Sequence, residues 1–126
     1  MRVLLDTSII IEFWKKRPDV VEELAGLVAS GLFISEVTAA ELVRGALHKA
    51  DLRVIQNALR YLEILPLEAA IGQGMLELLN QYGLSHGLQI PDALIAATTL
   101  RHGIPLYTLN RKDFRYIAGL QLYEPA

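Results

Sequence analysis

The sequence predicts an α/β fold, a three-layer α/β/α sandwich whose central parallel sheet has four to five strands. Short apolar runs alternate along the chain with longer segments whose apolar residues recur at helical spacing. The first run, at 2–5, is apolar without alternation, which is typical of a strand buried on both faces. Strands that alternate with helices form parallel sheets with right-handed crossovers. We expect one domain over residues 1–126.

The strand candidates are short and apolar, and they are expected at residues 2–5, 32–35, 61–67 and 104–110, with a fifth short strand at 120–124. The helix candidates lie between them, at residues 7–16, 19–31, 37–62, 68–83 and 91–102, with a helical turn at 111–119. The segment 37–62 is one long helix or two, with Thr38 as a cap and Asp51 as a restart. Residues 85–87 are expected to be loop.

Composition excludes several classes of protein. Twelve Lys and Arg against fourteen Asp and Glu give a net charge of -2, so the bulk positive charge of many nucleic-acid binders is missing. No cysteine is present, which excludes disulfides and thiolate metal sites and favours a reducing compartment. No apolar stretch has the length of a signal peptide or a membrane span. We therefore expect a soluble cytoplasmic protein without membrane contact.

Four acidic residues from separate segments are expected at one edge of the sheet. Asp6 directly follows the first strand, and Glu41 lies early in the helix after the second strand. Asp92 lies in the first turn of the helix that leads into the fourth strand, and Asp113 follows that strand closely. In parallel sheets, ligands bind at the carboxyl ends of the strands, where these acids are predicted to meet.

Each acid also has an ordinary structural explanation. Asp6 and Asp113 are suited to cap the helical segments beside them. Thr38 and Glu41 have the spacing of a capping box. Asp92 follows a proline and suits the positive end of a helix dipole. These alternatives remain open at the level of sequence.

A shared site for the four acids requires a cation. Two carboxylates about 4 Å apart repel by roughly 4 kcal/mol at an effective dielectric constant near 20. Oxygen ligands without cysteine or an HExxH pattern favour Mg²⁺ or Mn²⁺, and phosphodiester hydrolysis is the reaction that suits such ions best. Four polar neighbours either cap turns or orient the carboxylates and the attacking water: Thr7, Ser8, Thr108 and Asn110.

These segments together resemble the PIN-domain proteins, specifically the VapC type of toxin ribonuclease from bacterial and archaeal toxin-antitoxin pairs. The resemblance spans nearly the whole chain and rests on LLDTSIIIEF at 4–13, SEVTAAELVRG at 35–45, IPDALIAATTLRHGIPLYT at 90–108 and TLNRKDF at 108–114. It implies a compact α/β/α domain, a homodimer, and RNA cleavage with Mg²⁺ or Mn²⁺ that leaves 5'-phosphate and 3'-hydroxyl ends.

Carried over residue by residue, the resemblance implies that Asp6, Glu41 and Asp92 are catalytic and bind metal. Asp113 is the fourth acid of the set. Some relatives have an acid at the position of Asn110, so either Asn110 or Asp113 completes the metal site.

The resemblance also implies an RNA substrate and a partner, a small VapB-like antitoxin. Exposed cations are candidates for steering an RNA backbone: Lys15, Lys16, Arg17, Arg44, Lys49, Arg111, Lys112 and Arg115. Apolar side chains on the early helices either form a groove for the antitoxin or pack in the core: Ile9, Ile10, Phe13, Trp14, Leu42, Val43 and Leu47.

Other α/β proteins fit the sequence less well. A receiver domain needs an aspartate after its third strand, where this chain has Leu65, Pro66 and Leu67. A phosphatase of the haloacid dehalogenase type needs two aspartates after the first strand, and Ser8 stands at the second of those positions. The remaining alternative is a PIN-fold module that binds RNA or protein without catalysis.

Overall fold

A computed structural model describes all 126 residues and contains a parallel sheet between two layers of helices. The sheet has four strands: β1 (Val3–Leu5), β2 (Leu32–Ser35), β3 (Glu63–Leu65) and β4 (Leu106–Tyr107). The helices are α1 (Thr7–Trp14), α2 (Pro18–Leu27), α3 (Glu36–Arg44), α4 (Lys49–Leu59), α5 (Ala69–His86) and α6 (Ile90–His102). Short 3₁₀ turns occupy Val28–Ser30 and Arg111–Asp113. The predicted α/β class and the parallel sheet are confirmed.

β1 lies inside the sheet and is buried on both faces, as its uninterrupted apolar sequence predicts. Because successive side chains of a strand point to opposite faces, Val3 and Leu5 pack with α1, α2, α3 and α4, whereas Leu4 packs with α5 and α6. The protein therefore has two hydrophobic clusters of twelve buried residues each, one on either side of the sheet. None of the helices is both long enough and apolar enough to traverse a lipid bilayer.

The strand order β3-β2-β1-β4 creates a reversal of direction beside β1. From β1 the chain adds β2 and then β3 on one side, and it later crosses back to place β4 on the other side. Such a switch point leaves a crevice at the carboxyl ends of the two strands that flank it. Asp6 follows β1 and Thr108 follows β4, so both residues lie at this crevice.

The segment 37–62, predicted as one long helix or two, forms two helices. Several predicted helix boundaries are wrong. The cap of α3 is Ser35 and not Thr38, because the Ser35 side chain accepts a hydrogen bond from Val37 N and the helix begins at Glu36. At α4 the cap is His48 rather than Asp51, although Asp51 lies in the first turn. α5 continues beyond Gly83 and through residues predicted as loop, and it ends at Gly87, whose φ of 68° is left-handed.

β2 occupies the predicted residues 32–35, whereas the later strands are shorter than predicted. β3 and β4 contain only the central residues of the segments 61–67 and 104–110. The expected fifth strand at 120–124 contributes a single parallel bridge, between Leu106 and Leu122. A strand this short gains few ladder hydrogen bonds, so the C-terminal segment follows the sheet edge without extending it.

Phe114 connects the fold to the site, because it follows Asp113 and is only 1% exposed within the core cluster below α5 and α6. Phe114→Ala is expected to lower the free energy of unfolding by about 3–5 kcal/mol, since it removes a large buried ring and leaves a cavity. Urea unfolding measures this change, with Val54→Ala as the control because Val54 is 66% exposed. Equal stability of the two variants would contradict the role of Phe114 in the core.

Candidate active site

Asp6 lies at the switch point and is only 4% exposed. Its Oδ2 accepts hydrogen bonds from the hydroxyl of Ser8 at 2.7 Å and from the hydroxyl of Thr108 at 2.8 Å. The bond from Thr108 spans the crevice between β1 and β4. Asp6 occupies the N-cap position of α1, but its side chain makes no capping hydrogen bond. The carboxylate is thus held in position by neutral donors.

Glu41 is directed to the same crevice by a residue of α1. The Thr7 hydroxyl donates to Glu41 Oε1 at 2.9 Å, and Thr7 Oγ1 lies 3.1 Å from Thr38 Oγ1. Thr38 is buried in the helix rather than at its start, so the predicted capping box between Thr38 and Glu41 does not form. The hydroxyl of Thr7 therefore holds Glu41, and the hydroxyl of Thr108 holds Asp6, both at the carboxyl end of β1.

Of the four predicted acids, Asp92 and Asp113 are the two whose side chains make no hydrogen bond within the protein. Asp92 lies in the first turn of α6, where Pro91 is also found. Burial, followed by repulsion from Asp6, Asp113 and Glu41, raises the pKa of the Asp92 carboxyl from 3.8 to about 6. The structure thus brings the four predicted acids into one electrostatic neighbourhood, which we call the acidic cluster (Asp6, Glu41, Asp92 and Asp113).

No lysine, arginine or histidine forms an ion pair with the acidic cluster. The ion pairs of the protein are elsewhere, at Arg17–Asp19, Arg101–Glu68, His102–Glu68 and Arg111–Glu124. Like charges without a compensating cation are unfavourable at close range. The cluster is therefore an anionic site that the protein itself leaves uncompensated.

The donor chemistry of the cluster suits a hard divalent cation, since every predicted ligand is a carboxylate oxygen. Its geometry is less complete: no group of three acidic or histidine side chains in the protein is close enough to hold one ion. Asp6 and Glu41 are held by hydroxyls, whereas Asp92 and Asp113 have no such bonds. Any closure of the cluster around an ion would thus involve mainly Asp92 and Asp113.

Of the four predicted polar neighbours, Thr7, Ser8 and Thr108 donate hydrogen bonds to an acid of the cluster. Ser8 and Thr108 also fix the next loop, because Leu109 N donates to Ser8 Oγ at 3.2 Å and Asn110 N donates to Thr108 Oγ1 at 3.0 Å. Asn110 is exposed, and its side-chain amide makes no hydrogen bond to the acids. The structure therefore brings three of the four side chains onto the carboxylates.

An aromatic group beside the acids is not singled out by the sequence analysis. The rings of His86 and Tyr116 stack with centroids 4.1 Å apart and an interplanar angle of 11°, and Tyr82 meets both edge-on. Burial raises the pKa of the Tyr116 phenol, and the charges of Asp92 and Asp113 raise it further. No sequence pattern pairs Tyr116 with His86, because the two residues lie on separate segments that meet only in the folded chain. We call His86, Tyr116 and Tyr82 the aromatic column.

Two further sets of predicted residues remain, the cations proposed to steer RNA and the apolar side chains of the early helices. All eight predicted cations are exposed, and two of them are paired, Arg17 with Asp19 and Arg111 with Glu124. Of the seven apolar candidates, Ile9, Ile10 and Leu42 pack in the core. Phe13 and Trp14, together with the buried Ile10, line a groove of about 730 Å³ between α1, α2 and α4. Val43 and Leu47 are exposed outside this groove.

Comparisons with known proteins agree with this arrangement. The family model described as PIN domain matches residues 3–120. Ribonuclease VapC1 of Methanocaldococcus jannaschii is 32% identical over 98% of this chain and 88% of its own length. The tRNA(fMet)-specific endonuclease VapC of Shigella flexneri is 30% identical over 96% of both chains.

Solved structures give the same result. A chain in the crystal structure of VapBC2 from Rickettsia felis, bound to a DNA fragment from their promoter, superposes with a TM-score of 0.81 and 29% identity over 98% of both chains. The matches thus extend over nearly the whole chain in sequence and in structure. This chain belongs to the PIN-domain family and, within it, to the VapC type.

Proposed function

We propose that this protein is a metal-dependent endoribonuclease and the toxin of a type II toxin-antitoxin pair. The observation that carries the proposal is the acidic cluster, which lies at a switch point of the sheet without any cationic side chain. The names of the relatives, a ribonuclease and a tRNA endonuclease, support RNA as the substrate.

The proposed metal ligands are the carboxylates of the acidic cluster, with Asn110 as the alternative to Asp113. When bound, Mg²⁺ or Mn²⁺ supplies charge neutralisation at the scissile phosphate and a bound water of lowered pKa. The hydroxyls of Ser8 and Thr108 fix the Asp6 carboxylate, and Thr7 fixes that of Glu41. These bonds orient the oxygens before a substrate arrives and so reduce the reorganisation needed for reaction.

The cell compartment, the domain limits and the oligomeric state belong to the same proposal. Cytoplasmic location is supported by the absence of cysteine. A single domain over residues 1–126 is supported by the two core clusters, which pack on opposite faces of one sheet. A homodimer is supported by the family alone.

The apolar groove between α1, α2 and α4 is proposed to receive the antitoxin. Phe13 and Trp14 line it and are 39% and 36% exposed, and Val21 of α2 adds a further exposed side chain. Twelve of its fourteen lining residues are hydrophobic, which is the chemistry that binds the apolar face of a peptide helix. Complexes of VapB with VapC among the solved relatives support a partner of this kind.

Asp92→Asn is expected to reduce Mg²⁺-dependent RNA cleavage about 100-fold or more, comparable with the loss of one electrostatic stabiliser from an active site. Gel analysis of RNA cleavage measures the effect. The matched control is Asp19→Asn, because Asp19 is exposed and paired with Arg17 outside the cluster. Full activity of Asp92→Asn, or an equal loss in the control, would show that the cluster is not catalytic and would favour a binding module.

The free energy of unfolding of Asp92→Asn tests whether the carboxylates of the acidic cluster repel one another. Since the pKa of Asp92 is about 6 in the folded protein against the ordinary value of 3.8, the folded protein binds the extra proton between these pH values, and its stability falls as the pH rises through them. The Asn variant lacks this loss, so it should become the more stable protein above about pH 6. Discounting for solvent at a half-exposed side chain, the gain is about 1 kcal/mol.

Unfolding of both proteins in urea, with a metal chelator and across this pH range, measures that difference. Mg²⁺ at about a hundred times its dissociation constant should then stabilise the wild type by about 2.7 kcal/mol and the variant much less. If the variant were instead the less stable protein above about pH 6, attraction of Asp92 to the α6 N-terminus would outweigh repulsion from the cluster.

Trp14→Ser is expected to weaken antitoxin binding about 30-fold, since aromatic anchors in a groove commonly contribute about 2 kcal/mol each. RNA cleavage by the free variant should remain at the wild-type level, because Trp14 ends α1 on the side away from Asp6. Calorimetric titration with the cognate antitoxin measures the affinity. Leu76→Ala, an exposed truncation on α5 across the sheet, is the control, and unchanged affinity of Trp14→Ser would place the antitoxin elsewhere.

A further inference from the structure

The aromatic column is the strongest feature that the proposed reaction does not use. His86 lies in the last turn of α5, and only Gly87, Leu88 and Gln89 separate it from α6, whose first turn carries Asp92. Tyr116 follows Asp113 by three residues, one turn further along the chain. Each stacked ring thus belongs to a segment that adjoins one of the proposed metal ligands.

Hydrogen bonds hold the rings of the aromatic column in position. Tyr82 is only 8% exposed, and its hydroxyl accepts a hydrogen bond from Ala118 N at 3.1 Å, which ties α5 to the segment that carries Tyr116. Ser85 Oγ lies 2.7 Å from His86 Nδ1 and fixes the orientation of the imidazole. Rings that are already ordered lose little conformational freedom when they bind a ligand.

The upper part of the column is open to solvent. His86 is exposed, whereas Tyr82 is buried in the core cluster and the partly exposed Tyr116 packs against it. The imidazole of His86 therefore contributes little to core packing. Its exposure leaves the stacked pair accessible to a planar ligand such as a nucleobase.

We propose that the stacked pair of His86 and Tyr116 is a platform on which an unpaired nucleobase next to the scissile phosphate stacks. The inference rests on the proposed ribonuclease function and adds to it the two side chains that would hold a base of the substrate. A base within a duplex is already stacked on its neighbours and does not present its face, whereas bases in loops and single strands stack readily on aromatic side chains.

The charges around the site favour this form of binding. The acidic cluster repels RNA phosphates unless cations neutralise it, and the whole chain carries a net charge of -2. Stacking on an aromatic ring gives attraction that does not depend on the bulk charge of the protein. It also sets the distance between one base and the carboxylates, which fixes the phosphate to be cleaved.

The test uses the full chain, a single-stranded RNA that the wild type cleaves at one position, and copies of that RNA with an abasic residue at each flanking position. His86→Ala and Tyr116→Ala are each expected to raise KM about five- to fifty-fold on the intact RNA, the range of one lost base stack, with a smaller change in kcat. On the RNA that is abasic at the stacked position, the same variants should show no further increase. Tyr116→Phe should retain the wild-type KM because it keeps the ring.

Val54→Ala is the control, since Val54 is 66% exposed and lies on α4, on the opposite face of the sheet from α5. Thermal melting identifies any variant that fails to fold, and the exposed residue His86 then provides the test alone. An equal increase in KM on intact and abasic RNA would assign the column a structural role only. If KM increased on neither RNA, the proposed platform would be refuted.

A second measurement separates this proposal from the ribonuclease proposal. Single-stranded RNA that carries 2-aminopurine loses fluorescence when that base stacks, and this can be followed whether or not the RNA is cleaved. Quenching by the wild type and by Tyr116→Phe, but not by His86→Ala, supports the platform even if no cleavage is found. Cleavage without quenching at any 2-aminopurine position would refute the platform while the ribonuclease proposal stands.

Discussion

Repulsion among four carboxylates is the constraint on which the arrangement of this protein depends. Parallel strands that reverse order beside β1 bring Asp6 to a crevice, and α3, α6 and the turn after β4 direct the other acids toward it. The protein supplies no cation to them, although it forms ion pairs elsewhere on its surface. The raised pKa of Asp92 shows that this arrangement disfavours its charged form. Such a local cost is typical of sites that are organised for binding rather than for stability.

The hydroxyl groups explain how the fold accommodates the buried carboxyl group of Asp6 without a cationic partner. An arginine in the place of Thr108 would satisfy the same oxygen and would also remove the negative charge that a cation requires. Neutral donors satisfy the lone pairs and leave the charge intact, which limits the desolvation cost of burial. The same hydroxyls accept hydrogen bonds from the loop after β4. The orientation of the acid and the path of the chain across the switch point are therefore set by one network.

The parts of this structure that depend on local sequence were predictable, and the parts that depend on tertiary packing were not. An unbroken apolar run followed by Asp6 predicts both a buried strand and an acid at its carboxyl end. The end of α5 was misplaced at Gly83, because a glycine inside a helix costs only about 1 kcal/mol and packing against α6 outweighs that cost. Thr38 fits a capping pattern, yet Ser35 takes that role because β2 ends there and sets where the helix begins. Tyr116 could be found only once α5 and the turn after β4 were known to meet.

The absence of bulk positive charge also limits how RNA can be held. Many nucleic-acid-binding proteins gain affinity by releasing counterions from a basic surface, but this chain is slightly acidic and its crevice is strongly so. Exposed cations such as Lys112 and Arg115 lie close to Asp113 in the sequence, and each can contact a single phosphate. Affinity would then depend on contacts to phosphates, including those through cations bound at the carboxylates, and on stacking at His86 and Tyr116, and these two contributions differ in their response to salt. Added monovalent salt weakens the contacts to phosphates but has little effect on stacking, so a base held by the aromatic column would keep its position as the backbone contacts weaken.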